Sequence, residues 1–173
     1  MPTLPSSLLH FSSGDVAAAS RVLTASAVDR AERGEELWPP ASLSPERLGR
    51  YYPPAGWTVA WRGEEAVGCF VLLDEDPLFW PEAAPGEATY LHKLAVHPHA
   101  QGQGLAGVLL REAARQTLQG GRQRLRLDTA AARPRLRAIY ERFGFRHVDD
   151  QLVKTWAVSR YELRLDGPHG EAE

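Results

Sequence analysis

The chain has 173 residues, 43% hydrophobic and 24% charged, which excludes a collagenous, coiled-coil or largely disordered polymer. That length suits one globular domain with a full core, expected over residues 1–166, and a frayed Gly-, Pro- and Glu-containing tail at 167–173. Twenty Lys and Arg against 22 Asp and Glu give a net charge of -2, so neither nucleic acid nor an anionic membrane is an expected partner.

The first ten residues, MPTLPSSLLH, hold no basic segment before an apolar one, and no apolar run approaches the ~18 residues of a membrane span. A cytoplasmic protein is expected. Ser7 to Phe11 reads as a first strand. Asp15 to Arg33 carries Ala, Val and Leu at helical spacing, with Asp15 or Ser13 as N-cap and Gly34 as stop. Trp38-Pro39-Pro40 breaks that pattern, and Ser44-Pro45-Glu46 opens a short helix through Tyr51 that Pro53 and Pro54 end. Trp57 to Trp61 and Ala66 to Leu73 flank a polar turn, as two antiparallel strands do. The single cysteine, Cys69, lies on the second of these and reads as a small core residue, so the fold has no internal disulfide.

Asp74 to Glu87 contains three prolines and is expected to be a long loop. Tyr90 to Val96 reads as a buried strand closed by His97-Pro98. Gln103 to Gln119 has apolar residues at 105, 109, 110, 113 and 114, the spacing of a helix that leaves directly from a glycine-rich turn. Arg124 to Asp128 alternates like a half-buried strand, Arg133 to Phe143 is a helix stopped by Gly144, and Val148 to Trp156 and Tyr161 to Leu165 read as last strands. The order defines an α/β fold, with antiparallel strands first and a β-α-β-α-β stretch in the second half.

The turn itself is Gln101-Gly102-Gln103-Gly104-Leu105-Ala106-Gly107. Backbone N–H groups and the helix dipole converge there, as they do at phosphate sites, and the glycines admit an anion without a Cβ in the way. Between Arg111 and Arg146 lie ten arginines against Glu112, Asp128 and Glu141, a charge surplus that suits a polyanionic small ligand or a solvated face. The same residues also spell Gly102-x-Gly104-x-x-Gly107, the dinucleotide pattern, with Asp128 about where an acidic ribose ligand belongs. That nicotinamide-oxidoreductase reading is disfavoured, because Pro98 and four further residues separate strand from glycine and only about 70 residues follow.

Gln101-Gly102-Gln103-Gly104-Leu105-Ala106 resembles the acetyl-CoA signature of the Gcn5-related N-acetyltransferase superfamily, Gln/Arg-x-x-Gly-x-Gly/Ala. Leu91-His92-Lys93-Leu94-Ala95-Val96-His97-Pro98 is similar to that superfamily's central strand with its Val-x-Pro exit. Ile139-Tyr140-Glu141-Arg142-Phe143-Gly144-Phe145 is similar to its Tyr-Glu-x-x-Gly-Phe ending of the last helix. The three motifs fall in the superfamily's order, and the resemblance covers about residues 57 to 153, with the N-terminal third similar only in topology.

The resemblance implies a mixed, mostly antiparallel central sheet with splayed central strands, flanked by helices. It also implies acetyl-CoA as co-substrate, used in direct transfer to a primary amine of a small molecule or peptide. On that basis the backbone of Gln101, Gly102, Gln103, Gly104, Leu105 and Ala106 would cradle the pyrophosphate, and Leu94, Ala95 and Val96 would pair with the pantetheine arm. Tyr140 would protonate the departing thiolate, its other reading being a core ring above Phe143 and Phe145. Arg133 stands where many relatives carry a pantetheine-binding Asn, and is expected to reach a phosphate instead.

The sequence does not name the base. His92, placed by strand alternation on one face with Tyr90 and Leu94, is the first candidate, its other reading being a strand histidine that is merely hydrogen-bonded. Glu82 and Glu87 are lesser ones. Trp38, Tyr51, Phe79 and Trp80, with Tyr52, could wall an acceptor pocket or seal the core edge. His97-Pro98-His99 lacks nearby Cys or carboxylate partners, so no metal site is expected. A homodimer is left open, and the different-class alternative is a catalytically idle acyl-CoA-binding or sensing module.

Overall fold

The computed structural model describes residues 8–166, so Ser7 and the expected tail lie outside the described residues. Its elements are β1 (Leu9–Ser13), α1 (Val16–Glu32), α2 (Pro45–Tyr51), β2 (Trp57–Arg62), β3 (Glu65–Leu73), β4 (Thr89–Val96), α3 (Leu105–Gln119), β5 (Arg124–Ala130), α4 (Pro134–Phe143), β6 (Arg146–Val153) and β7 (Trp156–Arg164). The strands form one mostly antiparallel sheet in the order β1-β2-β3-β4-β5-β7-β6, with β4 and β5 parallel. A mostly antiparallel sheet is not the doubly wound parallel sheet of a dinucleotide-binding fold, so the oxidoreductase reading falls. No helix among the described residues is long and apolar enough to cross a membrane.

The chain clusters into two compact units, each made of separate segments. The first holds the described residues up to Val71 together with Lys93–Leu109. Asp15 starts α1 by accepting from the Ala18 N–H at 2.9 Å, the N-cap expected there. Ala18, Ala19, Val22 and Leu23 are fully buried on one face of α1. Between β2 and β3 the register steps from Ala60↔Gly68 to Trp61↔Ala66, which leaves Val67 as an extra residue. The Val67 carbonyl accepts from the His97 N–H at 2.8 Å. Beside it, a Cβ on Gly68 would come within 2.9 Å of Leu109 Cδ1 and 3.3 Å of the Ala95 carbonyl, so the strand needs glycine there for close approach.

The second unit holds Leu72–His92 and the described residues from Leu110 onward. Its last strands correct the expected Val148–Trp156 segment. Lys154 takes φ +54°, the chain reverses, and Val153 pairs with Trp156, so β7 begins at Trp156 and runs unbroken through Ser159 and Arg160. The buried polar residues Ser159 and Arg160 hid that strand from its hydrophobic pattern.

Four arginines, Arg122, Arg124, Arg126 and Arg160, bind the 74–88 loop, while Arg111, Arg115, Arg135, Arg142 and Arg146 are exposed. Trp80 is buried with two guanidinium groups over its ring, Arg126 at 4.8 Å and Arg160 at 4.3 Å from the centroid. Arg126 donates to Glu162 at 2.8 Å, Glu87 at 3.2 Å and the Tyr90 hydroxyl at 3.3 Å. Arg160 donates to Asp149, to Glu82 and to the Phe79 carbonyl. Arg122 caps the carbonyls of Asp74 and Ala88.

These pairs shift acid titration. The hydrogen bond from Arg126, then that from the Ala84 N–H, holds the Glu87 carboxyl below its ordinary 4.5, and the hydrogen bond from Arg160 holds Asp149 below 3.8. A carboxyl lowered by folding stabilises the native state above its unfolded pKa, and that stability is lost as pH falls through the folded one. Glu87→Gln and Asp149→Asn should therefore reduce stability at pH 7. They should also flatten its decline below about pH 4.5, as read by denaturant unfolding over a pH series.

Candidate functional site

The glycine-rich turn belongs to the first unit. After β4, Pro98–Ala100 forms a single 3-10 turn in which the His97 imidazole Nδ1 accepts from the His99 N–H at 3.2 Å. The chain then passes through extended Gln101 and left-handed Gly102 (φ +77°) and Gly104 (φ +75°) into α3. Glycines of opposite handedness to their neighbours turn successive N–H groups toward one side, and the first N–H groups of α3 have no partner within the helix. A Cβ at Gly102 would stand in open space, so the main chain is accessible there. Gln103 is drawn the other way, its side-chain oxygen accepting from Arg62 Nη1 at 2.9 Å.

On β4 the decisive feature is Lys93, a non-glycine residue at φ +54° inside a strand. Such a residue breaks the alternation of side chains, so the expected shared face of His92 and Leu94 cannot be carried across it. The Lys93 carbonyl accepts from the Cys69 thiol at 3.7 Å, and its ammonium lies 4.6 Å from the Trp38 ring centroid. Burial pushes the Cys69 thiol well up from its ordinary range, which keeps it protonated and unreactive. The parallel ladder of β4 with β5 holds Thr89↔Leu125, Tyr90↔Arg126 and Leu91↔Leu127 and then ends, although both strands continue.

His92 and Asp128 follow that last pair, one on each strand. Tyr90 and Arg126 contact each other two residues earlier, so alternation sets His92 and Asp128 on the same side as Trp80. His92 Nε2 lies 2.7 Å from Asp76 Oδ2, and one atom each of Asp76, His92 and Asp128 fall within 4.8 Å of one another. Asp76 is buried at the start of a turn, with Oδ1 accepting from the Phe79 N–H at 3.3 Å and its carbonyl from the Trp80 N–H at 2.8 Å. The Phe79 ring is 5.9 Å from the His92 ring and stacks at 6.2 Å on half-exposed Trp156. Sequence reasoning gave no role to Asp76 or Trp156, and considered Asp128 only as the ribose ligand of the disfavoured dinucleotide pattern. A carboxylate before a turn, at Asp76-Pro77, was the available signal.

Tyr140 ends α4 in a helix stop that explains its motif. The Phe145 N–H returns to the Tyr140 carbonyl at 3.0 Å, the Gly144 N–H reaches Glu141 at 3.2 Å, and Gly144 takes φ +122°. This is a Schellman arrangement with its apolar contact, here the edge-on Tyr140 and Phe145 rings at 5.9 Å. Tyr140 also lies 6.3 Å from the Tyr161 ring.

Other candidates are placed differently from expectation. Trp80 is interior rather than pocket-facing, buried with the Arg126 and Arg160 guanidinium groups over its ring. Glu82 and Glu87 are held by Arg160 and by Arg124 and Arg126, which commits both to ion pairs rather than to the role of base. Tyr51 is widely exposed, and Arg133 precedes α4 without capping it through its side chain.

Residues 24–145 match the family model of the acetyltransferase (GNAT) family, and the chain belongs to that family. An acetyltransferase from Thermus thermophilus shares its fold, with 24% identity and a TM-score of 0.66 over 95% of this chain and 100% of that one. A GNAT-family acetyltransferase from Listeria monocytogenes has 17% identity and a TM-score of 0.70, over 90% and 94%. A Salmonella typhimurium protein solved with its cofactor acetyl-CoA has 15% identity and a TM-score of 0.63, over 92% and 95%. No curated protein matches the chain in sequence.

Gly102→Ala places a Cβ where the anion would sit and strains a left-handed position by about 1–2 kcal/mol. The variant should fold with a Tm lower by roughly 2–8 °C. Its affinity for CoA, measured by titration calorimetry, should fall by about tenfold or more.

Proposed function

We propose that the protein is an acetyl-CoA-dependent N-acetyltransferase that moves the acetyl group to a primary amine by direct attack in a ternary complex. The observation that carries this reading is the pair of left-handed glycines opening α3 in a chain of the GNAT family. In the reading, the N–H groups of Gln101, Gly102, Gln103, Gly104, Leu105 and Ala106 bind the pyrophosphate, because they and the α3 dipole present positive charge to it. The backbone of Leu94, Ala95 and Val96, beyond the end of the β5 ladder, pairs with the pantetheine amides as a strand would. One of those N–H groups faces the thioester oxygen as negative charge builds on it. Arg133 takes a phosphate. Acetyl-CoA supplies the activated acyl carbon.

His92 removes a proton from the acceptor ammonium, and the freed amine attacks the thioester carbon. As the C–N bond forms and the C–S bond breaks, Tyr140 protonates the departing thiolate. A phenol, which ordinarily titrates near 10, is a matched acid for a thiolate of ordinary pKa about 8.5. The acceptor lies against Phe79, with Trp38 and Tyr51 as further candidate contacts. What supports Phe79 is its ring contact with His92 and its stack on accessible Trp156.

Thermal unfolding with acetyl-CoA, CoA or NADH at about 100 times Kd is the first test. Each ligand that binds only the folded chain adds about 2.7 kcal/mol, roughly 5–11 °C in Tm for a chain of this size. Acetyl-CoA and CoA should raise Tm and NADH should not. Binding without turnover on a broad panel of primary amines would favour the idle acyl-CoA-binding module instead.

With an amine that turns over, Tyr140→Phe should lower kcat by roughly 10²-fold or more. His92→Ala should remove the low-pH limb of the rate profile. An unchanged pH profile in His92→Ala would take the role of base away from this residue.

A further inference from the structure

The loop ahead of β4 brings a buried carboxylate to the imidazole. Asp76 Oδ2 lies 2.7 Å from His92 Nε2, and the side chains are only 6% and 13% exposed. A carboxylate has lone pairs and no proton to give, so this hydrogen bond needs the proton on Nε2. The lone pair of the neutral ring is then on Nδ1. The other Asp76 oxygen is held by the Phe79 N–H and its carbonyl by the Trp80 N–H, so the carboxylate cannot swing away without unmaking the turn. Asp128 from β5 is the other charged group of the trio, one of its oxygens lying within 4.8 Å of the His92 and Asp76 atoms.

We infer that Asp76 is a positioning residue: it fixes His92 as the Nε2–H tautomer, so that Nδ1 is the atom that takes the acceptor's proton. This rests on the reading of His92 as the base. The transfer is balanced. An ammonium N–H bond breaks, an Nδ1–H bond forms, and the ring becomes an imidazolium whose charge faces the Asp76 carboxylate at hydrogen-bond distance. The proton leaves to solvent after turnover, and the second amine proton ends on CoA. The two carboxylates also bias the acceptor toward amines that arrive as cations.

Substitution by asparagine tests the role without changing shape. In Asp76→Asn the oxygen held by the Phe79 N–H stays in place, and the NH₂ group is turned to His92. An NH₂ group is a donor, so Nε2 must give up its proton and the ring becomes the Nδ1–H tautomer. The tautomer is read by long-range ¹H–¹⁵N NMR at a pH where the ring is neutral, with His92→Asn identifying the signal.

The wild-type protein should show Nε2–H and Asp76→Asn should show Nδ1–H. With an amine that turns over, kcat/KM of Asp76→Asn should drop by roughly 10²–10⁴-fold while the Kd for CoA stays within about twofold. A wild-type ring in the Nδ1–H form, or a tautomer indifferent to Asp76→Asn, overturns the proposal, and the first of these needs no variant to fold. A switched tautomer with unchanged turnover would instead overturn His92 as the base, leaving the hold of Asp76 on the ring intact.

Discussion

β4 pairs with β5 for three residues and then stops, and the proposed chemistry is arranged around that end. Backbone N–H and C=O groups need partners, so a strand edge released from its neighbour is a place for another extended chain. The last shared pair is Leu91↔Leu127, and the next residue on each strand is a titratable one, His92 and Asp128. One residue later Lys93 adopts a left-handed conformation that costs of order 1–2 kcal/mol. Its carbonyl takes the Cys69 thiol and its ammonium lies over Trp38, contacts that return part of that cost within the first unit. Strain at a left-handed strand residue is thus set beside His92, the proposed base.

In the second unit the loop between β3 and β4 owes its shape to buried charge. A guanidinium out of water is costly unless its donors are met, and Arg126 and Arg160 each meet carboxylates while packing over the Trp80 ring. Burial presses Arg126 toward its neutral form, and the hydrogen bonds to Glu87, Glu162 and Tyr90 outweigh that, so it stays charged. Removing one partner would leave a buried charge unmet, which costs more than the pair itself contributes. Of the ten arginines between Arg111 and Arg146, three, Arg122, Arg124 and Arg126, hold this loop, joined by Arg160 from β7.

That difference shows what the sequence could and could not carry. Asp15, Ser44 and Gly144 act locally, through caps and φ, and helices α1, α2 and α4 were legible from them to within a residue or two. Gly102 and Gly104 were legible for the same reason, since only the backbone of neighbouring residues is involved. Trp80 was not, because its partners Arg126 and Arg160 lie 46 and 80 positions away and nothing in an aromatic residue's neighbours says whether its faces will be covered. The β6–β7 turn at Lys154 was missed because Ser159 and Arg160 are buried through hydrogen bonds to Asp150 and Asp149, which breaks the link between burial and hydrophobicity on which strand reading depends.

Alternation sets His92 on one face with Tyr90, for a reason that holds only as far as Lys93. Up to that residue β4 is regular, and Tyr90 meets Arg126 as parallel neighbours do. What alternation could not supply was the partner. Asp76 makes three bonds with three different groups: its carbonyl to the Trp80 N–H, Oδ1 to the Phe79 N–H and Oδ2 to His92. The buried tryptophan therefore fixes a turn, the turn fixes a carboxylate, and the carboxylate fixes a ring. A loop whose composition of prolines and acids suggested only irregular structure is held along its length by Arg126 and Arg160. For that reason a carboxylate within it can orient a histidine on its neighbour, which a loop anchored only at its ends could not do.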